Sequence, residues 1–63
     1  MAMSKEIKKM LIDKEITQTE LAEKLGIAAP TLSKKFKLDN WRESDLEEIA
    51  RICGCTFVGK FIE

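Results

Sequence analysis

The sequence predicts an all-α domain that ends in a short C-terminal β-strand. Capping residues and glycines divide the first part of the chain into four segments, and apolar residues recur three and four positions apart within these segments. After Gly54 the pattern changes to aromatic and β-branched residues. A chain of 63 residues has room for one small core. We therefore expect a helical domain over residues 1–54, followed by a strand within residues 55–63. The expected helices cover about 4–14, 18–25, 29–37 and 45–53.

The first helix is predicted from a capping residue and an apolar stripe. Ser4 is a typical N-cap residue. Ile7, Met10 and Leu11 follow at i, i+3 and i+4, so they share one face, which we expect to cover the next two helices.

The second and third helices are predicted from their end signals. Thr17 and Glu20 have the spacing of a capping box, in which each side chain binds the backbone amide of the other residue. Gly26 is suited to the left-handed position that ends a helix. A new helix can begin at Ala29, because Pro30 in a first turn sacrifices no hydrogen bond.

Two short helices joined by a tight turn need a small residue at their closest approach and apolar residues on their inner faces. Ala22, Gly26 and Leu32 have the order and spacing that this arrangement needs. They resemble the helix-turn-helix of the phage repressor and Cro-like family, also called XRE, over about residues 6–53. The resemblance implies a four-helix repressor-like helix-turn-helix domain that binds DNA.

The fourth helix is predicted from a second capping box and a regular apolar face. Ser44 and Glu47 have the capping-box spacing. We expect Leu38 and Trp41 to pack under the core before this helix begins. The apolar face consists of Leu46, Ile49, Ala50 and Cys53.

The tail is predicted to be a single strand, with no second strand evident in the sequence. A lone strand leaves backbone amides and carbonyls unpaired, so we expect it to pair with the same strand of a second copy in a homodimer. Some Cro-like proteins dimerise in this way. The alternative is that the tail folds back on its own subunit. The expected dimer interface is formed by Phe57, Val58, Phe61 and Ile62.

Charge is unevenly distributed although the net charge is zero. Residues 1–38 hold eight lysines against five acidic residues, and residues 39–63 hold three basic residues against six acidic ones. The resulting charges of +3 and −3 favour a polyanion as the partner of one face. The sequence contains no long apolar run and its start lacks the apolar segment of a signal peptide, so we expect a cytoplasmic protein without membrane contact.

The sequence predicts no enzyme, cofactor or metal site. It contains no His and no Tyr, and it lacks a glycine-rich phosphate loop. Cys53 and Cys55 are expected to be packed thiols rather than a disulfide. A Cys-Gly-Cys metal site is the alternative, but the chain has no further Cys or His to complete it.

In the repressor-like family, the second helix of the motif lies in the major groove and the helix before it crosses the backbone. This resemblance implies that Ala29, Pro30, Thr31 and Lys34 face the bases. It also implies that the DNA phosphates are contacted by Thr17, Gln18, Thr19, Ser33, Lys35, Lys37 and Asn40.

The first turn of the third helix departs from the family pattern. Ala28 stands where relatives often have a capping Ser or Thr, and Ala29 and Pro30 stand where they often have long polar side chains. Direct contacts to bases therefore depend on Thr31 and Lys34, and we expect modest specificity. The alternative function is a protein-interaction module of the antitoxin or anti-repressor type, which keeps the fold but binds little DNA.

Overall fold

Residues 2–63, which the computed structural model describes, form four helices followed by a two-stranded hairpin. This confirms the predicted all-α domain with a short β element at its C-terminus. The elements are α1 (Ser4–Asp13), α2 (Gln18–Leu25), α3 (Ala29–Leu38), α4 (Glu43–Ile52), β1 (Thr56–Phe57) and β2 (Phe61–Ile62).

The core is formed by the apolar faces that the sequence pattern indicated. Side chains that are essentially inaccessible to solvent come from α1, α2, α3 and α4. Burial of large aliphatic side chains is the main source of stability in a domain of this size. The fully buried side chains are Ile7, Leu21, Leu32, Leu46 and Ile49, and around them pack Met10, Leu11, Ala22, Phe36, Trp41, Ala50, Cys53 and Phe57.

The prediction that Ser4 caps the first helix with its side chain is wrong. Ser4 is buried as the first residue of α1, where its Oγ donates to the Phe36 carbonyl oxygen and accepts from Trp41 Nε1, both at 3.0 Å. The carboxylate of Asp39 instead accepts the backbone N–H of Ser4, at 2.9 Å. The predicted packing role of Trp41 is confirmed, since its ring is buried edge-on against Phe36 at a centroid distance of 5.1 Å.

Two predictions around α4 are also wrong. The helix begins at Glu43, and Asp45 accepts the backbone N–H of Arg42 at 3.1 Å, so Ser44 lies inside the first turn instead of capping it. Leu38 is 65% exposed. The reason is helical geometry: two positions after the buried Phe36, a side chain points about 200° away around the helix axis.

The predicted single strand is a hairpin. Gly59, with φ of 80°, lies in the turn, and β1 pairs antiparallel with β2 so that Phe57 opposes Phe61. Phe57 is buried, and its ring lies 5.1 Å from that of Phe61. The tail therefore folds onto its own subunit, with β1 against α4. Pairing with a second copy stays a prediction.

Candidate nucleic-acid interface

The start of α2 is fixed by the capping box that the sequence predicted. The Thr17 hydroxyl accepts the Glu20 amide, and a Glu20 carboxylate oxygen accepts the Thr17 amide, both at 3.1 Å. The hydrogen bond from the Thr17 backbone lowers the pKa of Glu20 below its usual value. The neighbouring residues Gln18 and Thr19 are exposed to solvent at the start of α2.

The turn between α2 and α3 is a Schellman motif. Gly26 has φ of 73°, and the amide of Ile27 donates to the Ala22 carbonyl oxygen at 3.0 Å. This left-handed position favours glycine, because a Cβ would be strained there. The half-buried Ile27 packs on the core, so the turn sets the angle at which α3 leaves α2.

The N-cap residue and the first two residues of α3 have no polar side chains. Ala28 is the N-cap residue, with extended backbone angles, and its methyl group cannot accept a hydrogen bond. Pro30 occupies the first turn and has no N–H. Ala28, Ala29 and Pro30 are all exposed, so an apolar surface lies at the end of α3 that was predicted to face bases.

A shallow depression follows the outer face of α3. Its lining residues recur along one side of the helix, opposite the buried Leu32 and Phe36. The apolar groups lie at the N-terminal end, and two ammonium groups lie towards the C-terminal end. The depression is lined by Ala29, Pro30, Ser33, Lys34 and Lys37.

This arrangement brings together only part of the predicted DNA-contacting set. Three of the four predicted base-facing residues share the depression, whereas the fourth, Thr31, is exposed outside it. Asn40 is exposed after the end of α3. The predicted phosphate contacts Thr17, Gln18 and Thr19 are exposed at the start of α2.

Lys35 differs from the other lysines of α3. It is half-buried, and its ammonium group lies 3.7 Å from the Asp45 carboxylate of α4. Lys35 therefore links α3 to α4, and part of its charge is compensated inside the protein. Sequence alone gave no sign of this pair, because the two residues belong to different helices.

Lys8 of α1 is a further basic residue near α3, outside the predicted DNA-contacting set. Its ammonium group lies 5.5 Å from the centroid of the Phe36 ring. This cation–π contact holds a positive charge from α1 beside α3. The sequence spacing gave no signal for it, because the two residues are distant along the chain.

The cysteines are packed thiols, as predicted. Cys53 is buried, Cys55 is half-buried, and both are free. Burial raises the pKa of each thiol above its usual value. Among residues 2–63, no three His, Cys, Asp or Glu side chains are grouped as a metal site would require. Within the same residues, no helix has the length and apolar character needed to cross a membrane.

The family model for the Cro/C1-type helix-turn-helix DNA-binding domain matches residues 6–62. The chain belongs to this family. The match extends beyond the motif through the hairpin, so the Cro/C1-type domain here includes the tail. Neither the curated proteins nor the solved structures contain a significant match to the chain.

Family membership identifies this Cro/C1-type domain as a DNA-binding regulator. It also explains the combination of a Schellman turn at Gly26 with an exposed outer face on α3. The turn fixes the second helix of the motif relative to the first, and the exposed face is the surface that such domains place against DNA.

Proposed function

We propose that this protein is a cytoplasmic transcription repressor that binds a two-fold symmetric operator as a homodimer. Each subunit places α3 in the major groove, and the two grooves lie one helical turn apart on the same side of the duplex. The observation that carries the proposal is the exposed outer face of α3, where Lys34 and Lys37 project from a rigid helix-turn-helix.

Base contacts come from the first two turns of α3 in this proposal. Lys34 carries a flexible ammonium group that can donate to O6 or N7 of guanine, and Thr31 can donate or accept through its hydroxyl. Ala29 and Pro30, which are exposed in the same depression, offer apolar contacts to the groove floor. The small number of polar side chains supports modest specificity.

Phosphate contacts surround this face. The exposed Thr17, Gln18 and Thr19 lie at the positive end of the α2 dipole, which favours an anion. Ser33, Lys37 and Asn40 extend the contact along α3. Lys8 adds a positive charge from α1. Lys35 contributes less than Lys37, because its ammonium group already faces Asp45.

The homodimer is supported by apolar side chains that the hairpin leaves in solvent. Val58 is 63% exposed and Ile62 is 43% exposed. Phe61 is half-buried. Phe57 belongs to the core of its own subunit, so in this proposal it supports the interface from beneath instead of contacting the second copy.

The test is selection of bound duplexes from a random-sequence pool at moderate salt. We expect an inverted repeat with half-sites about 34 Å apart. Lys34→Ala should weaken binding to the selected duplex by about fivefold or more, since a good base contact contributes about 1–3 kcal/mol. Lys9→Ala removes an equal charge from α1, next to the tail, and should have a much smaller effect. Failure to enrich any duplex would refute the proposal.

The second candidate is a protein-interaction module of the antitoxin or anti-repressor type. The zero net charge and the apolar first turn of α3 favour it. The two candidates differ in the salt dependence of duplex binding. Contacts to phosphates make the logarithm of the binding constant fall linearly with the logarithm of the salt concentration, whereas a module that binds only protein shows no such duplex binding.

A further inference from the structure

We propose that the first turn of α3 recognises a thymine through its 5-methyl group, in an apolar contact formed by Ala29 and Pro30. The inference rests on the proposed DNA-binding function and names the base at one position of the operator. It concerns the N-terminal end of the depression on α3, next to Lys34.

The contact surface at this point has no polar side chain. Ala29 and Pro30 are exposed and line the depression together. The residue before them, Ala28, is also exposed and apolar. Among the main-chain amides of this turn, Pro30 has no N–H and the Thr31 amide already donates to the Ala28 carbonyl oxygen at 3.0 Å.

The chemistry of base edges makes this surface selective. In the major groove, guanine presents two hydrogen-bond acceptors, adenine presents an acceptor and a donor, and cytosine presents a donor. Each of these polar groups loses its bound water if an apolar surface covers it. A polar group that loses water and gains no hydrogen-bond partner makes the free energy of binding less favourable. Thymine also presents a methyl group, which gains from losing contact with water. A thymine methyl is therefore the group that fits against Ala29 and Pro30.

Lys34 completes the site from one turn further along the helix. It follows Pro30 by four positions, so the two side chains lie on the same side of α3 and line the same depression. The apolar part of the lysine stem can cover the methyl group from the C-terminal side. Its ammonium group then reaches an acceptor on the same or the next base.

The test uses the duplex obtained by selection and replaces each thymine in turn by deoxyuridine. This change removes one methyl group and leaves base pairing intact. We expect one thymine in each half-site at which the change weakens binding about fourfold, since burying one such group contributes about 0.8 kcal/mol. Thymines elsewhere in the duplex should show no change.

Two variants connect this effect to the first turn of α3. Ala29→Ser places a hydroxyl against the methyl group and should remove the preference for thymine over deoxyuridine at that position. Thr19→Ala removes a proposed phosphate contact on α2, so it should weaken binding to both duplexes equally and keep the preference. Circular dichroism and thermal melting show whether each variant is folded.

The outcomes separate this inference from the function on which it rests. Tight binding to an inverted repeat with no effect of deoxyuridine at any position overturns the thymine contact and leaves the proposed function standing. A methyl effect that persists in Ala29→Ser also overturns it, because the contact then lies elsewhere. If selection yields no bound duplex, both proposals fail.

Discussion

Asp39 has two structural roles at the junction of α1 and α3. Its backbone adopts φ of 50°, in the left-handed region, where α3 ends. Its carboxylate accepts the backbone N–H of Ser4 at 2.9 Å, so it satisfies an amide at the start of α1. That backbone hydrogen bond is the main reason why the pKa of Asp39 lies below its usual value.

The first prediction is that Asp39→Asn destabilises the fold near neutral pH but not in acid. The pKa of Asp39 in the folded state lies below the unfolded value of about 3.9, so the charged carboxylate stabilises the fold at pH values above about 3.9. This contribution is lost as the pH falls through the folded-state pKa. Asn tolerates the left-handed backbone and keeps a side-chain oxygen, so the variant isolates the charge. Urea midpoints at pH 7 and pH 2.5 measure the effect. An equal loss at both pH values would contradict it.

Glu15 is the other residue besides glycine with a left-handed backbone among residues 2–63, at φ of 56°. It follows α1, where the Ile16 amide donates to the Leu11 carbonyl oxygen at 2.9 Å in a Schellman pattern. We predict that Glu15→Gly stabilises the protein by about 0.5–1 kcal/mol, because relief of the Cβ strain exceeds the entropy that glycine adds to the unfolded chain. Glu15→Ala removes the same charge but keeps Cβ, and it should give no such gain in urea unfolding.

At the scale of the elements, signals that act within one helical turn were predictive. The Thr17 and Glu20 pair was assigned from spacing alone, and the structure has both hydrogen bonds. Gly26 was assigned to the end of α2 in the same way. These interactions need only the local chain, but spacing alone does not determine them, since Ser44 and Glu47 have the same spacing and do not cap α4. The helix-turn-helix and its exposed α3 face followed from such local signals.

Signals that depend on distant residues were missed. A serine such as Ser4 can either cap a helix or form buried hydrogen bonds. Which of these it does depends on Phe36 and Trp41, which are distant in the sequence. The link between Lys35 and Asp45 likewise depends on how α3 packs on α4. The hairpin was missed because each strand has two residues, too few to show an alternating pattern.

The N-terminus of α3 provides the next prediction. Ala28 has the extended angles of an N-cap residue but no side-chain acceptor. We predict that Ala28→Ser stabilises the domain by about 0.5–1 kcal/mol, because its hydroxyl can accept an amide of the first turn. Pro30 lacks an N–H, so the donor is the Thr31 amide, which the hydroxyl shares with the Ala28 carbonyl oxygen that this amide already contacts at 3.0 Å. Ala29→Ser places the hydroxyl one residue inside the helix, where it cannot cap, and serves as the control in thermal unfolding. Equal midpoints for the two variants would contradict the prediction.

At the scale of the whole molecule, basic and acidic residues are separated along the chain. The lysine-rich half contains α1 to α3, and the acidic half contains α4 and the hairpin. A small domain with a Cα radius of gyration of 10.4 Å gains stability when a second copy covers exposed apolar side chains. The exposed Val58 and Ile62 belong to the hairpin and do not line the depression on α3, so we expect a dimer formed there to leave the lysines of α3 accessible to DNA.

The last prediction tests this dimer with neutral substitutions. The double variant Val58→Gln and Ile62→Gln should weaken self-association at least tenfold, because it removes the exposed apolar groups of the hairpin without changing the net charge. Both sites are exposed, so the urea midpoint should change little at a protein concentration at which the parent is also monomeric. Ile12→Gln, at a side chain of α1 that is 76% exposed, is the matched control and should remain dimeric in sedimentation equilibrium.

The monomeric variant should bind a single half-site as the parent does but lose affinity for the inverted repeat, since two linked subunits bind with a high effective concentration. A double variant that sediments as a dimer would place the interface outside the hairpin.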